Sequence, residues 1–191
     1  MAQKKSTAKS KSASRKPAPK TASSAKKSGN SSRSSAAKGG QDAIALLKED
    51  HKKVKGLLSQ LDKTEDSQPS KRTHLLSQIE KELEVHTTIE EEIFYPAYKQ
   101  AVTSEDDEEL YYEANEEHGL VKLYMPKVKA TPPDDVQFAA RAKVLKDLVE
   151  HHAGEEEKEM FPKARKKMSR TELRNLGDQM KRRKQELMGQ R

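Results

Sequence analysis

The chain has 191 residues, 36% of them charged and 32% apolar, with no Cys, no Trp and a formal net charge of +7. The absence of Cys excludes disulfides, zinc fingers and thiolate-held clusters, and leaves histidine–carboxylate metal sites open. No apolar run approaches the length of a membrane span or of a signal-peptide core, so the expected compartment is the cytoplasm, with no membrane partner.

Residues 1–41 carry eleven Lys or Arg and no acid, which leaves 27 basic against 31 acidic groups in residues 42–191. The basic character belongs to the tail. Its Lys, Ser, Ala, Pro and Gly cannot bury enough apolar surface to offset the entropy of ordering, so disorder is expected. Two roles fit this composition: a solubilising extension, or a non-specific binder of nucleic acid similar to linker-histone tails.

Four long helices and a shorter fifth follow. The first opens at Asp42, a good N-cap, and runs an inward seam of Ile44, Leu47, His51, Val54, Leu58 and Leu61. After a polar loop over 62–70, the second carries Leu76, Ile79, Leu83, His86, Glu90, Ile93 and Ala97. Pro96 is expected to kink its last turn or end it. The third spans about 106–129, with Tyr111, Ala114, His118, Val121, Met125 and Val128 on its seam. A break at 131–134 precedes the fourth, which carries Phe138, Ala142, Leu145, Val149, His152, Glu156 and Met160 and closes at Pro162. Ser169-Arg170-Thr171-Glu172 reads as a capping box that opens the fifth helix, ending near Met188.

The second and fourth helices repeat one motif: a histidine, a glutamate four residues on, and a proline ten residues after the histidine. Each is preceded at a similar distance by another seam histidine, His51 before His86 and His118 before His152. Such a repeat predicts an all-α fold: a four-helix bundle with a pseudo-twofold axis made of two helix-hairpin repeats, with a short C-terminal fifth helix. The expected division is a disordered tail over 1–41, a bundle over 42–168 and a charged helix over 169–191.

Residues four apart share a helix face, so His86 with Glu90, and His152 with Glu156, each point at one spot. A lone histidine on an apolar seam reads as a satisfied core residue. Four of them in a repeat, with two carboxylates that need a partner when buried, read as a metal site in the bundle interior. Imidazole and carboxylate donors suit iron, with manganese and zinc as alternatives, and two carboxylates able to bridge suit a pair of ions. His151 competes with His152, but only His152 has the proline ten residues later. His74 falls off the seam.

These motifs, with their Glu-Glu-x-x-Phe-Tyr-Pro and Glu-Glu-x-x-Met-Phe-Pro endings, resemble a bacterial hemerythrin-like, or HHE cation-binding, domain over about 42–188. The resemblance implies an antiparallel, up-down four-helix bundle enclosing a non-haem diiron site, with His51, His86, Glu90, His118, His152 and Glu156 as ligands and both glutamates bridging. It implies dioxygen, nitric oxide or peroxide as exogenous ligands that the protein binds or senses. Oxygen carriers of the family place a further histidine one turn after the third-helix histidine, and here that position is Lys122. Glu91, Glu117 and Glu157 lie near enough in sequence to fill the open position. A di-metal oxidase or peroxidase is the alternative reading, as is a nucleic-acid-associated protein carrying a metal-binding bundle.

Overall fold

The computed structural model describes residues 40–189, so the expectations for the tail lie outside the described residues apart from its last two. Helix α1 spans Ala43–Asp62, capped by Asp42, whose carboxylate accepts from the Ala45 N–H at 2.9 Å. Helix α2 spans Pro69–Ile89 with Pro at its first position, where a missing N–H costs nothing. Helix α4, Glu105–Lys129, starts from Ser104, and α5, Val136–Glu155, starts from Asp135; both caps accept from backbone N–H groups. Helix α7, Arg170–Gly189, opens with the expected capping box. Ser169 Oγ accepts from the Glu172 N–H at 3.2 Å, and Glu172 accepts from the Ser169 N–H at 2.6 Å.

The two prolines do not end their helices. Each is preceded by one π-helical turn, Glu90–Phe94 before Pro96 and Glu156–Met160 before Pro162. Helix then resumes as α3, Tyr95–Ala101, and α6, Phe161–Lys167. The Tyr95 N–H reaches the Glu90 carbonyl and the Phe161 N–H reaches that of Glu156, five residues back instead of four. A proline clashes with the carbonyl four residues before it, and the wider turn relieves that clash without breaking the rod. The extra residue also shifts the inward face. The seam expected to continue through Ile93 and Ala97 moves to Phe94, Tyr95 and Tyr98, which are fully buried, while Ile93 and Ala97 are half-buried.

The four-helix bundle packs α1 against α2 and α5, and α4 against α5. The fourth side, between α2 and α4, is the loosest of the four. Helix α7 lies across α1, α2 and the first π turn. The apolar core is two clusters. One joins Ile44, Leu47, Phe94, Tyr98 and Phe161 to Leu173 and Met180 of α7. The other joins Val54, Leu58, Leu83, Val121 and Val149 toward the far end. Between them, at the same height on all four main helices, lies a layer of buried polar side chains.

Candidate metal centre

That layer contains all six residues singled out by the repeat: His51, His86, Glu90, His118, His152 and Glu156 are each at most 5% exposed. Both glutamates begin a π turn, so each sits where the helix widens just below its own histidine. Glu90 Oε2 lies 3.1 Å from His86 Nε2 and 3.3 Å from His118 Nε2. Glu156 Oε2 lies 3.1 Å from His51 Nε2 and 3.6 Å from His152 Nε2. Each carboxylate thus reaches its own hairpin and the other one. The imidazoles pair as His51 with His86 and His118 with His152, ring centroids 4.8 and 4.6 Å apart.

Behind each ring stands an acid. His51 Nδ1 faces Glu157 at 3.0 Å, His118 Nδ1 faces Glu91 at 2.9 Å, and His152 Nδ1 faces Glu117 at 2.8 Å. His86 Nδ1 faces Asp50 at the longer distance of 3.9 Å. Each acid in turn touches a further basic side chain: Lys55 on Glu157, Lys122 on Glu91, Lys184 on Asp50, and His151 on Glu117. Such acids fix ring orientation and keep the Nδ1 proton in place, so that the Nε2 lone pair faces inward. Glu91, Glu117 and Glu157 therefore stand behind the rings, not at an open position in front of them. Lys122 turns outward to Glu91, with contacts of 2.6 and 2.7 Å. His74 and His151 are exposed, and the ring turned inward is that of His152.

The electrostatics of this interior are unbalanced. Burial and the neighbouring Glu156 push the Glu90 carboxyl well above the carboxylate range. Burial acts on Glu156 in the same direction, but His152 and His51 outweigh it and hold that carboxyl down at about 2. Burial lowers His86 to about 4 against the pull of Asp50. On His152, burial is outweighed by Glu156 and Glu117, so its pKa is raised. Glu91 is held at about 2 by its hydrogen bond from His118, against burial and with help from Lys122.

The donor set fits a bound cation. His51 Nε2, both His86 nitrogens, both Glu90 oxygens and Glu156 Oε2 are buried without hydrogen-bond partners. Leaving such groups bare costs about 1–3 kcal/mol each, and more for charged ones. His118 and His152 also bring their Nε2 atoms within 3.1 Å, where two lone pairs repel unless a proton or cation lies between them. Within this buried layer, two groupings have all their donor atoms within 4.8 Å of one another, His51–His86–Glu90–Glu156 and Glu90–His118–His152, and Glu90 belongs to both; a third, Glu117–His151–Glu155, lies nearer the surface.

One residue breaks the pseudo-twofold match of the halves. Tyr95 donates to Glu156 Oε1 at 3.0 Å and lies 3.2 Å from His118 Nε2, while its counterpart Phe161 only stacks on His51. Tyr95, Asp50, Lys55 and Lys184 were not identified from sequence, and Glu91, Glu117 and Glu157 were singled out for an open coordination position, not for the place behind the rings. A signal existed for part of this set. Asp50 and Glu117 directly precede His51 and His118, Glu91 and Glu157 directly follow the seam glutamates, and Lys55 and Lys122 each follow a histidine by four residues.

The family model of the hemerythrin HHE cation binding domain matches residues 42–164. A DNA nickase from Nostoc sp. is 32% identical over 124 residues, covering 65% of this chain and 34% of that protein. The chain thus spans about a third of the length of that relative. Among solved structures, a hemerythrin HHE cation binding domain-containing protein from Mycobacterium kansasii superposes with a TM-score of 0.68 at 28% identity. That superposition covers 78% of this chain and 88% of the other.

Proposed function

Because the chain belongs to the hemerythrin HHE cation-binding family, we propose that its bundle holds two non-haem iron ions and uses them to bind or sense a small exogenous ligand. His51, His86, Glu90, His118, His152 and Glu156 would hold the ions, and Glu90 would be the donor common to both groupings. The observation that carries this reading is the pair of donor groupings that have Glu90 in common. A bound iron pair supplies a change of oxidation state and a position open to dioxygen, nitric oxide or peroxide. The chain itself orients three of the four Nε2 lone pairs through the acids behind them, holds the Tyr95 hydroxyl as a hydrogen-bond donor to Glu156 Oε1, and keeps bulk water out by burial. Four imidazoles in place of five leave room beside the donors, because Lys122 faces Glu91.

Metal content of protein purified without added metal tests the proposal. About two irons per chain are expected, falling by at least about half in Glu90→Ala, which removes a donor common to both groupings. One tightly held zinc with no capacity for iron would sink it.

A second reading concerns nucleic acid, favoured by the tail's eleven cations and by the name of the Nostoc relative. Nicking chemistry at the six-residue layer is disfavoured, because a phosphodiester cannot reach side chains this deeply buried. Association through residues 1–41 is the form that fits. Contact with about five phosphates gives a slope of log K against log salt of about −4.5, without sequence preference. Titrating labelled duplex with the full chain and with residues 42–191 decides it. Equal binding by both moves the contact to the bundle, and no binding by either leaves the tail a solubilising extension.

A further inference from the structure

The loose side of the bundle, between α2 and α4, holds an open groove of about 480 Å³. Behind it, over the four histidines, lies a small closed cavity whose other walls are aliphatic side chains and Thr87. Three residues line both spaces: Leu83 and Thr87 from α2, and Val121 from α4. Groove and cavity are therefore separated by a partition one side chain thick. Its members sit on the turns next to His86 and His118, at 4–7% exposure.

The site has two unlike sides. Glu90, Glu156 and Tyr95 crowd one with acceptors and a hydroxyl, while the cavity side presents Val54, Val149 and Ala153 beside the rings. An incoming molecule thus meets the open side through the cavity. The lysines on the rim of the groove are already engaged: Lys122 is tied to Glu91 and Lys129 to Glu80 at 2.7 Å. The rim offers an anion little attraction, and the partition offers it no hydrogen bond but the Thr87 hydroxyl, which already donates to the Glu84 carbonyl. An ion would have to shed its water to cross, at a cost that an uncharged diatomic molecule does not meet.

We propose that the Leu83–Thr87–Val121 partition is the admission route to the metal pair and that it selects uncharged diatomic molecules over small anions. This rests on the proposed iron pair, and the test separates the two ideas. Stopped-flow mixing of the reduced, iron-loaded protein with nitric oxide reads passage directly, and azide binding to the ferric protein is the anionic comparison. Val121→Trp, which thickens the partition, should slow nitric oxide association by about tenfold or more. Leu83→Ala, which opens it, should speed azide more than nitric oxide. Iron content of each variant is measured alongside, because Val121 and Leu83 are not donors.

Unchanged rates in both variants with iron retained overturn the route. Equal effects on azide and nitric oxide overturn the selectivity. If no form of the protein takes up iron, the iron reading has failed and the route is judged on metal-free crystals of Leu83→Ala under xenon. Xenon bound between Val121 and Thr87 supports it, and its absence there overturns it.

Discussion

At the scale of single residues, three of the four candidate donor histidines are held from behind by an acid, and each of those acids touches a further basic side chain. Lys122 is the informative member, since it stands where oxygen carriers of the family have a fifth histidine. Lys122→Met removes both contacts to Glu91, which then holds His118 less firmly. Partner acids of this kind alter metal affinity by about 10–100-fold when removed. Loss of the lysine behind one should weaken iron retention by roughly the lower figure, read by competition with a chelator. Lys55 holds the equivalent place behind Glu157 and His51. Lys55→Met should therefore have a similar effect, and a large effect at one position with none at the other would break the equivalence. The six candidate donors were legible because they recur at fixed spacing on an apolar seam. Glu91 and Glu157 were not, since each lies in a run of glutamates whose inward member depends on a turn type that spacing does not reveal.

At the scale of elements, two junctions decide how the helices meet. Gly177 of α7 lies against the start of α1, where an added Cβ would fall 2.3 Å from the Gln41 carbonyl and 2.8 Å from the Ala43 nitrogen. Those are backbone atoms and cannot swing aside. Gly177→Ala should cost about 1–3 kcal/mol despite the better helix propensity of alanine, measured by denaturant unfolding. A neutral result would mean that α7 contributes nothing to the stability of the bundle. At the other junction, Asp42 caps α1 and receives Arg165 through two contacts of 3.1 Å. Partial burial works against its charge, but the Ala45 N–H and Arg165 outweigh it, and its pKa falls below 3.8. A depressed carboxylate contributes stability that is present above its ordinary pKa and lost as pH falls through the lower folded value. Asp42→Ala should thus cost about 1 kcal/mol at pH 7, and the penalty should shrink steadily below pH 3.8. A penalty unchanged at low pH would assign it to packing instead. Helix starts were legible from their caps. The π turns were not, because a proline late in a helix usually signals its end, and only packing shows the rod continuing with its inward face shifted by one residue.

At the scale of the molecule, the bundle is two apolar clusters separated by a layer of imidazoles and carboxylates. Among the described residues no helix is long and apolar enough to cross a membrane. The polar layer is a weakness in the metal-free chain, where burial and Glu156 disfavour the Glu90 charge and several buried polar atoms lack partners. Metal that binds only the native state adds about 4 kcal/mol at a thousand times its dissociation constant. For a chain of this size that corresponds to roughly 10 °C in melting temperature. Calorimetry before and after chelation should show that loss, and refilling with ferrous iron should restore it. Identical melting curves would mean that the layer holds no ion. The four-helix architecture and the height of this layer were legible, since every seam carries its histidine near the middle. The groove between α2 and α4 was not, because the spacing between two helices is set by their neighbours rather than by their own patterns.

The pseudo-twofold layout also bears on how a chain emerges from the ribosome. Glu90 precedes Glu156 by 66 residues, and neither hairpin alone supplies both buried carboxylates. At about 5–20 residues per second, the donors of the first hairpin wait about 3–13 s for the last donor of the second. Throughout that interval the first hairpin offers two imidazoles and one carboxylate, a weak and indiscriminate chelate open to any divalent ion in the surroundings. A cation held by donors from both hairpins is therefore held only by the finished chain, once His118, His152 and Glu156 have joined the layer.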